Sequence, residues 1–333
     1  DELTEVLRAF KEAHPDGLPL SFVMNGGNED VGVLLSAFGY GDNADHYVVT
    51  NDQKVVYTLA DEGIIPGLEW LHSLYAEGLI DPEIFTQDYN TYVSKAASDR
   101  YGLFLAWDNT SAGTPSDYVA LPPLKNEDGT ACVTRQNAMG FEIGRCVISG
   151  TNPNPALTAK WIDQLYDPIQ SVQDNWGTYG DETQDNVFEM KEDGTLQHLP
   201  IAEGVVPYEL RMKTNLGGPL AVLDSYYGTY TTMPDDAKLR LDTISELYSS
   251  AMANDYNYPP IFFDIDTMDR ITQIETDLKP YAESQKASWI MNGGAEQEWD
   301  AYITKLNEMN LQELLQLKQT GLDNYFASMN SEN

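Results

Sequence analysis

The segment from Glu62 to Asp108 constrains this chain more than any other. Leu68, Leu71, Leu74 and Tyr75 form one helical stripe, and Gly78 stands where a left-handed cap is expected. A second helical pattern follows. Tyr101-Gly-Leu-Phe-Leu-Ala-Trp107-Asp108 then reads as a buried strand that delivers a tryptophan and an aspartate at its carboxyl end. Helix, helix and strand in this order imply an α/β layer, in which ligands lie outside the carboxyl ends of strands. Trp107, Asp108 and the adjoining Asn109 are therefore the first site candidates.

The flanking segments have the same character. Residues 1–14 form a helix that stops at Pro15-Asp16-Gly17, and Leu20 to Met24 is a short strand ending in Asn25-Gly26-Gly27. A helix from about Glu29 to Phe38 and a hairpin from Tyr47 to Thr58 follow. Val119-Ala-Leu-Pro-Pro-Leu124 is a stiff extended crossing, since each proline fixes φ and removes an N–H, and it is the best hinge candidate. Asn154 and Pro155 start a helix predicted to turn Ala156, Trp161, Ile162 and Leu165 inward before Asp167-Pro168 stops it. The stretch 175–218 reads as loop. From Thr267 onward the chain is helical, capped by Asp264, with Trp299, Tyr302, Leu306, Leu311, Leu314, Leu315 and Leu322 on buried faces.

A length of 333 residues exceeds one ordinary core, so two lobes are the default. No run of about 18 apolar residues occurs. The net charge of −34 repels phosphate backbones and anionic membrane surfaces, which argues against a nucleic-acid partner. Cys132 and Cys146 would face each other across a turn near Gln136 to Met139, as a disulfide or as two free thiols. His14, His46, His72 and His198 are isolated and read as surface groups. No HExxH, P-loop, GxGxxG or GxSxG is present, so no cofactor, catalytic residue or metal site is predicted. With 53 carboxylates, a glycosidase-like pair remains open at this level.

Several motifs, taken in order, resemble one family, the extracellular solute-binding proteins (family 1) of bacterial ABC sugar importers. They are Leu34-Leu35-Ser36-Ala37-Phe38-Gly39, Lys54-Val55-Val56-Tyr57, Leu74 to Pro82, Phe85-Thr86-Gln87-Asp88, Ala106-Trp107-Asp108 and Leu121-Pro122-Pro123. Trp161-Ile162-Asp163, Asn175-Trp176-Gly177, Trp289 to Gly294 and Glu298-Trp299-Asp300-Ala301-Tyr302 continue the series over nearly the whole chain.

The resemblance implies a type II periplasmic-binding-protein-like two-lobe α/β fold with a helical carboxyl-terminal region. By similarity, 1–118 is second-lobe core and 119–124 the hinge crossing. The remaining part of the first lobe is 125–175, and 176–265 supplies cleft loops and the return to the second lobe. Residues 266–333 are carboxyl-terminal helices. Leu3, Val6, Leu7 and Phe10 keep a helical period from the first residues, so the chain is expected to lack an amino-terminal part that carries a signal peptide, a lipid anchor and most of the first lobe.

The implied function is non-catalytic capture of a small carbohydrate outside the cell, between the lobes, for delivery to an ABC permease. Membrane association would come only through the absent lipid anchor. A glycan hydrolase and a peptide receptor of the same fold are the alternatives. Many relatives carry a calcium-holding loop where this chain has His14-Pro15-Asp16-Gly17, and a single carboxylate there is too few ligands for calcium.

Asn25 and Asn28 enter as a cleft turn on the resemblance. Trp176 and Tyr179, beside Glu182 in a glycine-rich loop, offer flat apolar faces with acceptors for hydroxyls. Tyr226 and Tyr227, between Asp224 and Gly228, have similar composition.

Overall fold

In a computed structural model of the chain, residues 2–24, 26, 29–38, 41–43, 45–112, 117–126, 128–133, 146–202, 205–218, 221–252 and 257–331 are described. The chain forms two compact units. One comprises Asp1–Trp107, Leu121–Phe141 and Leu247–Asn333; the other comprises Asp108–Ala120 and Glu142–Glu246. One passage between them, at 120–121, falls inside the Val119–Leu124 segment.

The first unit opens with α1 (Glu2–Ala13) and β1 (Leu18–Ser21). Next come a 3₁₀ helix over Val31–Phe38, β2 (Tyr47–Val49) and β3 (Val55–Tyr57). The predicted hairpin is present, with Tyr47 opposite Tyr57. Where an α-helix was expected from Glu29, the tighter 3₁₀ form is found, and Asp30 accepts from the Gly32 amide at its start. The segment continues with α2 (Ile65–Ala76), α3 (Tyr89–Ala96) and β4 (Tyr101–Phe104). Gly78 takes φ +67°, the left-handed cap expected after α2. The Arg8 guanidinium reaches Glu77 at 2.6 Å, and Lys11 Nζ donates to the Glu77 carbonyl, so α1 holds the end of α2.

β1 and β4 are parallel, with Leu20 beside Leu103 and Ser21 beside Phe104, and Ile80 bridges Leu20. Both strands are shorter than predicted, and for β4 the cause is a side chain. Tyr92 of α3 accepts from Leu105 N at 2.8 Å and donates to Leu105 O at 2.7 Å, taking the groups that would continue the ladder.

The second unit holds α4 (Pro155–Leu165), α5 (Pro168–Trp176), β5 (Phe188–Met190), β6 (Leu196–His198), α6 (Pro207–Thr214) and α7 (Asp235–Thr243). The β5–β6 hairpin and α6 lie in a stretch that reads as loop, because the strands are three residues each and the helix only eight. The hairpin closes through Gly194 at φ +87°. The core of this unit is small, namely Val172, Val187, Phe188 and Leu196 with half-buried neighbours. No residue of α4 is buried, and Trp161 is 63% exposed, so the prediction that Trp161, Ile162 and Leu165 face inward is corrected. The apolar period is real, but α5 and the chain at Gly218 leave Ile162 and Leu165 only half-buried, and Ala156 and Trp161 are exposed.

The chain ends in α8 (Ile265–Asn292), α9 (Ala295–Glu308) and α10 (Leu311–Ser331) of the first unit. Asp264 caps α8 by accepting from Thr267 N at 3.0 Å. These helices bury Ile274, Leu278, Trp289, Leu306 and Leu314 with Leu68, Leu71 and Leu74 of α2 and Leu20 and Phe22 at β1. Each such side chain contributes about 1.5–3 kcal/mol by leaving water. No described helix is long and apolar enough to cross a membrane. Cys132 and Cys146 are free thiols, which decides between the two readings of the pair; the turn proposed between them lies outside the described residues.

His46 corrects the view of the histidines as surface groups. It is buried with Asp42, Asp30, Glu283 and Lys286 in a charged cluster that joins the 30–46 segment to α8.

Candidate functional site

In the first unit the site candidates follow the carboxyl ends of β1 and β4. Because the strands are parallel and in register, the segments after Ser21 and after Phe104 leave from one edge of the sheet. Beneath that edge lies a buried polar network. Ser21 Oγ donates to Asp81 at 3.0 Å, Lys95 Nζ pairs with Asp81 at 2.8 Å, and Gln87 Nε2 donates to the Phe22 carbonyl. Every strand-end group used there is satisfied, so the edge is rigid.

Tyr92 ends β4 and the chain turns, leaving Trp107 42% exposed. The loop after β1 closes on itself through Val23 N to Glu29 O and Gly26 N to Val23 O. Asn25 and Asn28, predicted on that loop, lie outside the described residues.

In the second unit, Asp108 and Asn109 hold their own loop. Asp108 accepts from Thr110 N at 3.0 Å and pairs with Arg240 at 3.3 Å, while Asn109 Nδ2 donates to Tyr118 O. Their polar groups are thus engaged in fixing the backbone, the ordinary role of such residues in turns.

Trp176 ends α5, where Gly177 at φ +136° turns the chain and Thr214 Oγ1 donates to the Trp176 carbonyl. Its indole meets the rings of His198, Tyr227 and Phe188 edge-on, with centroids at 5.2, 6.4 and 6.5 Å. The Arg211 guanidinium lies 5.8 Å from the indole centroid and donates to the Asn175 carbonyl. Trp176, Tyr179 and Tyr226 pack on the small core of this unit, so these rings double as structure. Four predicted residues, Trp176, Tyr179, Tyr226 and Tyr227, are thereby brought to one aromatic cluster. Glu182 is exposed nearby, on an open concavity of about 410 Å³ lined also by Thr183, Gln184, Asp185, Lys213 and Thr214.

Burial pushes His198 down to about 4, against a hydrogen bond from the ring to the Thr232 backbone, so the ring is neutral at pH 7. The cluster therefore offers a cation at Arg211, a neutral imidazole, amides and several aromatic faces. Such a surface suits neutral polyhydroxy molecules, whose C–H faces stack on rings and whose hydroxyls need donors and acceptors. Asp181 is held by Thr183 and sits below its usual range, the opposite of what a general acid requires. Among the described residues, no group of three or more His, Cys, Asp or Glu is arranged to hold a metal ion. Arg211 and His198 were missed because α6 and β6 are too short to show a period.

No protein-family model matches the chain. Over an aligned stretch of 338 positions that covers 99% of this chain, it is 46% identical to the fructooligosaccharide ABC transporter substrate-binding protein FusA of Streptococcus pneumoniae. It spans 63% of that relative's length. The solved structure of S. pneumoniae FusA in complex with kestose matches with a TM-score of 0.92 and 45% identity, over 98% of this chain and 68% of that one. A solute-binding protein of Bifidobacterium longum infantis, described as HMO-binding and ABC-transporter-associated, matches at 20% identity with a TM-score of 0.74, covering 98% of this chain and 69% of that one. The last likeness concerns the fold alone.

Proposed function

The chain belongs to the substrate-binding proteins of ABC transporters, and from that premise we propose that it captures a neutral oligosaccharide without altering it, for delivery to an ABC permease. Short fructo-oligosaccharides such as kestose are the first candidates, because the relative that matches at 45% identity was solved with kestose. The observation that carries this reading is the pairing of that likeness with an aromatic cluster in the second unit and an exposed tryptophan in the first, both beside polar groups that suit hydroxyls. In the first unit these residues are Trp107, with Asn25 and Asn28 proposed beside it. In the second they are Trp176, Tyr179, Glu182, Tyr226 and Tyr227, with Asp108 and Asn109 holding a loop of the site. A net charge of −34 favours a neutral sugar over an anionic one.

Work for an importer places the protein outside the cell membrane, and we extend this to a lipid-anchored form at the cell surface. A thermal-shift series tests the binding reading. Kestose at about 100 times its dissociation constant should stabilise the protein by roughly 2.7 kcal/mol. No shift with kestose, nystose or any other neutral oligosaccharide would overturn it.

A further inference from the structure

Asp174 is the most costly side chain in the second unit for the fold alone to retain. It lies in the last turn of α5 and is 2% exposed. A carboxylate there faces the negative end of the helix dipole. Oδ1 accepts from Gln170 Nε2 at 2.8 Å, but Oδ2 is buried and, among the described residues, no group donates to it. The nearby cation, Arg211, is committed to Asn175 and the Trp176 ring. Burial pushes the Asp174 carboxyl up.

Gly218 lies beside Oδ2, next to the Leu165 side chain. Gly217 donates its amide to the Asp174 carbonyl at 3.2 Å and takes φ +72°, and Gly218 takes φ +130°. A Cβ on Gly218 would stand 3.3 Å from Oδ2 and in a backbone conformation that other residues rarely adopt. Both glycines are exposed, so the cover on that side is thin and has solvent on its outer side. A buried acceptor left open under a glycine strap, two residues before Trp176, calls for an explanation beyond packing.

We infer that Asp174 is a concealed hydrogen-bond acceptor for one hydroxyl of the carbohydrate ligand, reached when the Gly217-Gly218 strap moves aside. This rests on the proposed function. A hydroxyl fits better than a metal ion, because Asp174 offers one free oxygen and no described cluster of metal-binding side chains surrounds it. A single directional donor satisfies that oxygen with a charge-assisted bond.

The test is calorimetric titration of kestose into the naturally made protein and its Asp174→Leu and Asp174→Asn variants, each with a melting curve. Asp174→Leu should keep or raise the melting temperature while weakening affinity about tenfold or more. Asp174→Asn, which keeps a neutral acceptor, should fall between that variant and the wild type. If wild type binds and Asp174→Leu binds within about twofold of it, the inference is wrong. It is also wrong if Asp174→Leu melts early while Asp174→Asn loses neither stability nor affinity, since the carboxyl is then structural. Absence of binding by wild type to kestose or any other neutral oligosaccharide sinks the function reading, and this inference with it, a result distinct from the other two.

Discussion

Replacing Lys286 by methionine should destabilise the first unit by about 3–5 kcal/mol, the cost expected when one partner of a buried ion pair is removed. Lys286 is 2% exposed and pairs with Glu283 at 2.8 Å and Asp30 at 3.5 Å. Glu283 also meets His46 Nε2 at 2.7 Å, so it keeps one cation in the variant. Asp30 loses the Lys286 ammonium in the variant. At an effective dielectric of about 20, two charges at that separation attract by roughly 5 kcal/mol, which brackets the expected loss from above.

The assay is equilibrium urea unfolding at pH 6, where His46 and Glu283 are both charged, with the slope m unchanged from wild type. The double variant Asp30→Asn, Lys286→Met should recover at least about 1 kcal/mol, since the carboxylate that Lys286 faced is then replaced by a neutral amide. A loss below about 1 kcal/mol in the single variant, or strict additivity in the pair, would refute the reasoning.

Stability should also depend on pH through this cluster. Burial would lower His46, but the Asp42 charge, aided by hydrogen bonds that the ring donates to Asp42 and Glu283, outweighs it and raises the ring from 6.5 to about 9. Its contribution, about 3 kcal/mol, is therefore full below pH 6.5 and lost as pH rises through 9. Burial likewise opposes ionisation of Glu283, yet His46 and Lys286 bring it down from 4.5 to about 2, so its contribution is full above pH 4.5 and lost as pH falls through 2. Urea midpoints should be flat between pH 4.5 and 6.5 and fall on both sides; a steady rise from pH 7 to 10 would contradict this. Trp107→Ala should cost under about 1 kcal/mol of stability and weaken kestose binding, because the ring is largely exposed. Trp176→Ala should weaken binding and also lower the melting temperature, because its ring packs on His198, Phe188 and Tyr227. Melting curves and titrations on the two variants separate these roles, and equal stability losses would count against the distinction.

The parts of the fold legible in the sequence are those whose local signals agree with their packing. The α2 stripe of Leu68, Leu71 and Leu74 faces the core, Gly78 takes its left-handed cap and Asp264 caps α8, each as its residue type dictates. What escaped depends on partners distant in sequence. The end of β4 is set by Tyr92 from another element, and the β5–β6 pair and α6 are too short for any period to rise above noise. His46 could not be told from a surface histidine, because its partners Glu283 and Lys286 lie about 240 residues away in the chain. For the site, an aromatic beside glycine and polar residues drew attention to Trp107 and Trp176. Only the three-dimensional arrangement reveals that Trp176 is also part of a core and that Asp174 beside it is buried without a donor.

The central claim is capture without chemistry, and one titration with a mass balance tests it. Kestose is added to the naturally made protein in a calorimeter, and the sugar is then recovered and resolved by chromatography. The account predicts saturable binding at one site and quantitative return of intact kestose after prolonged incubation. Release of fructose or sucrose in proportion to protein concentration would make the protein a hydrolase and contradict the account.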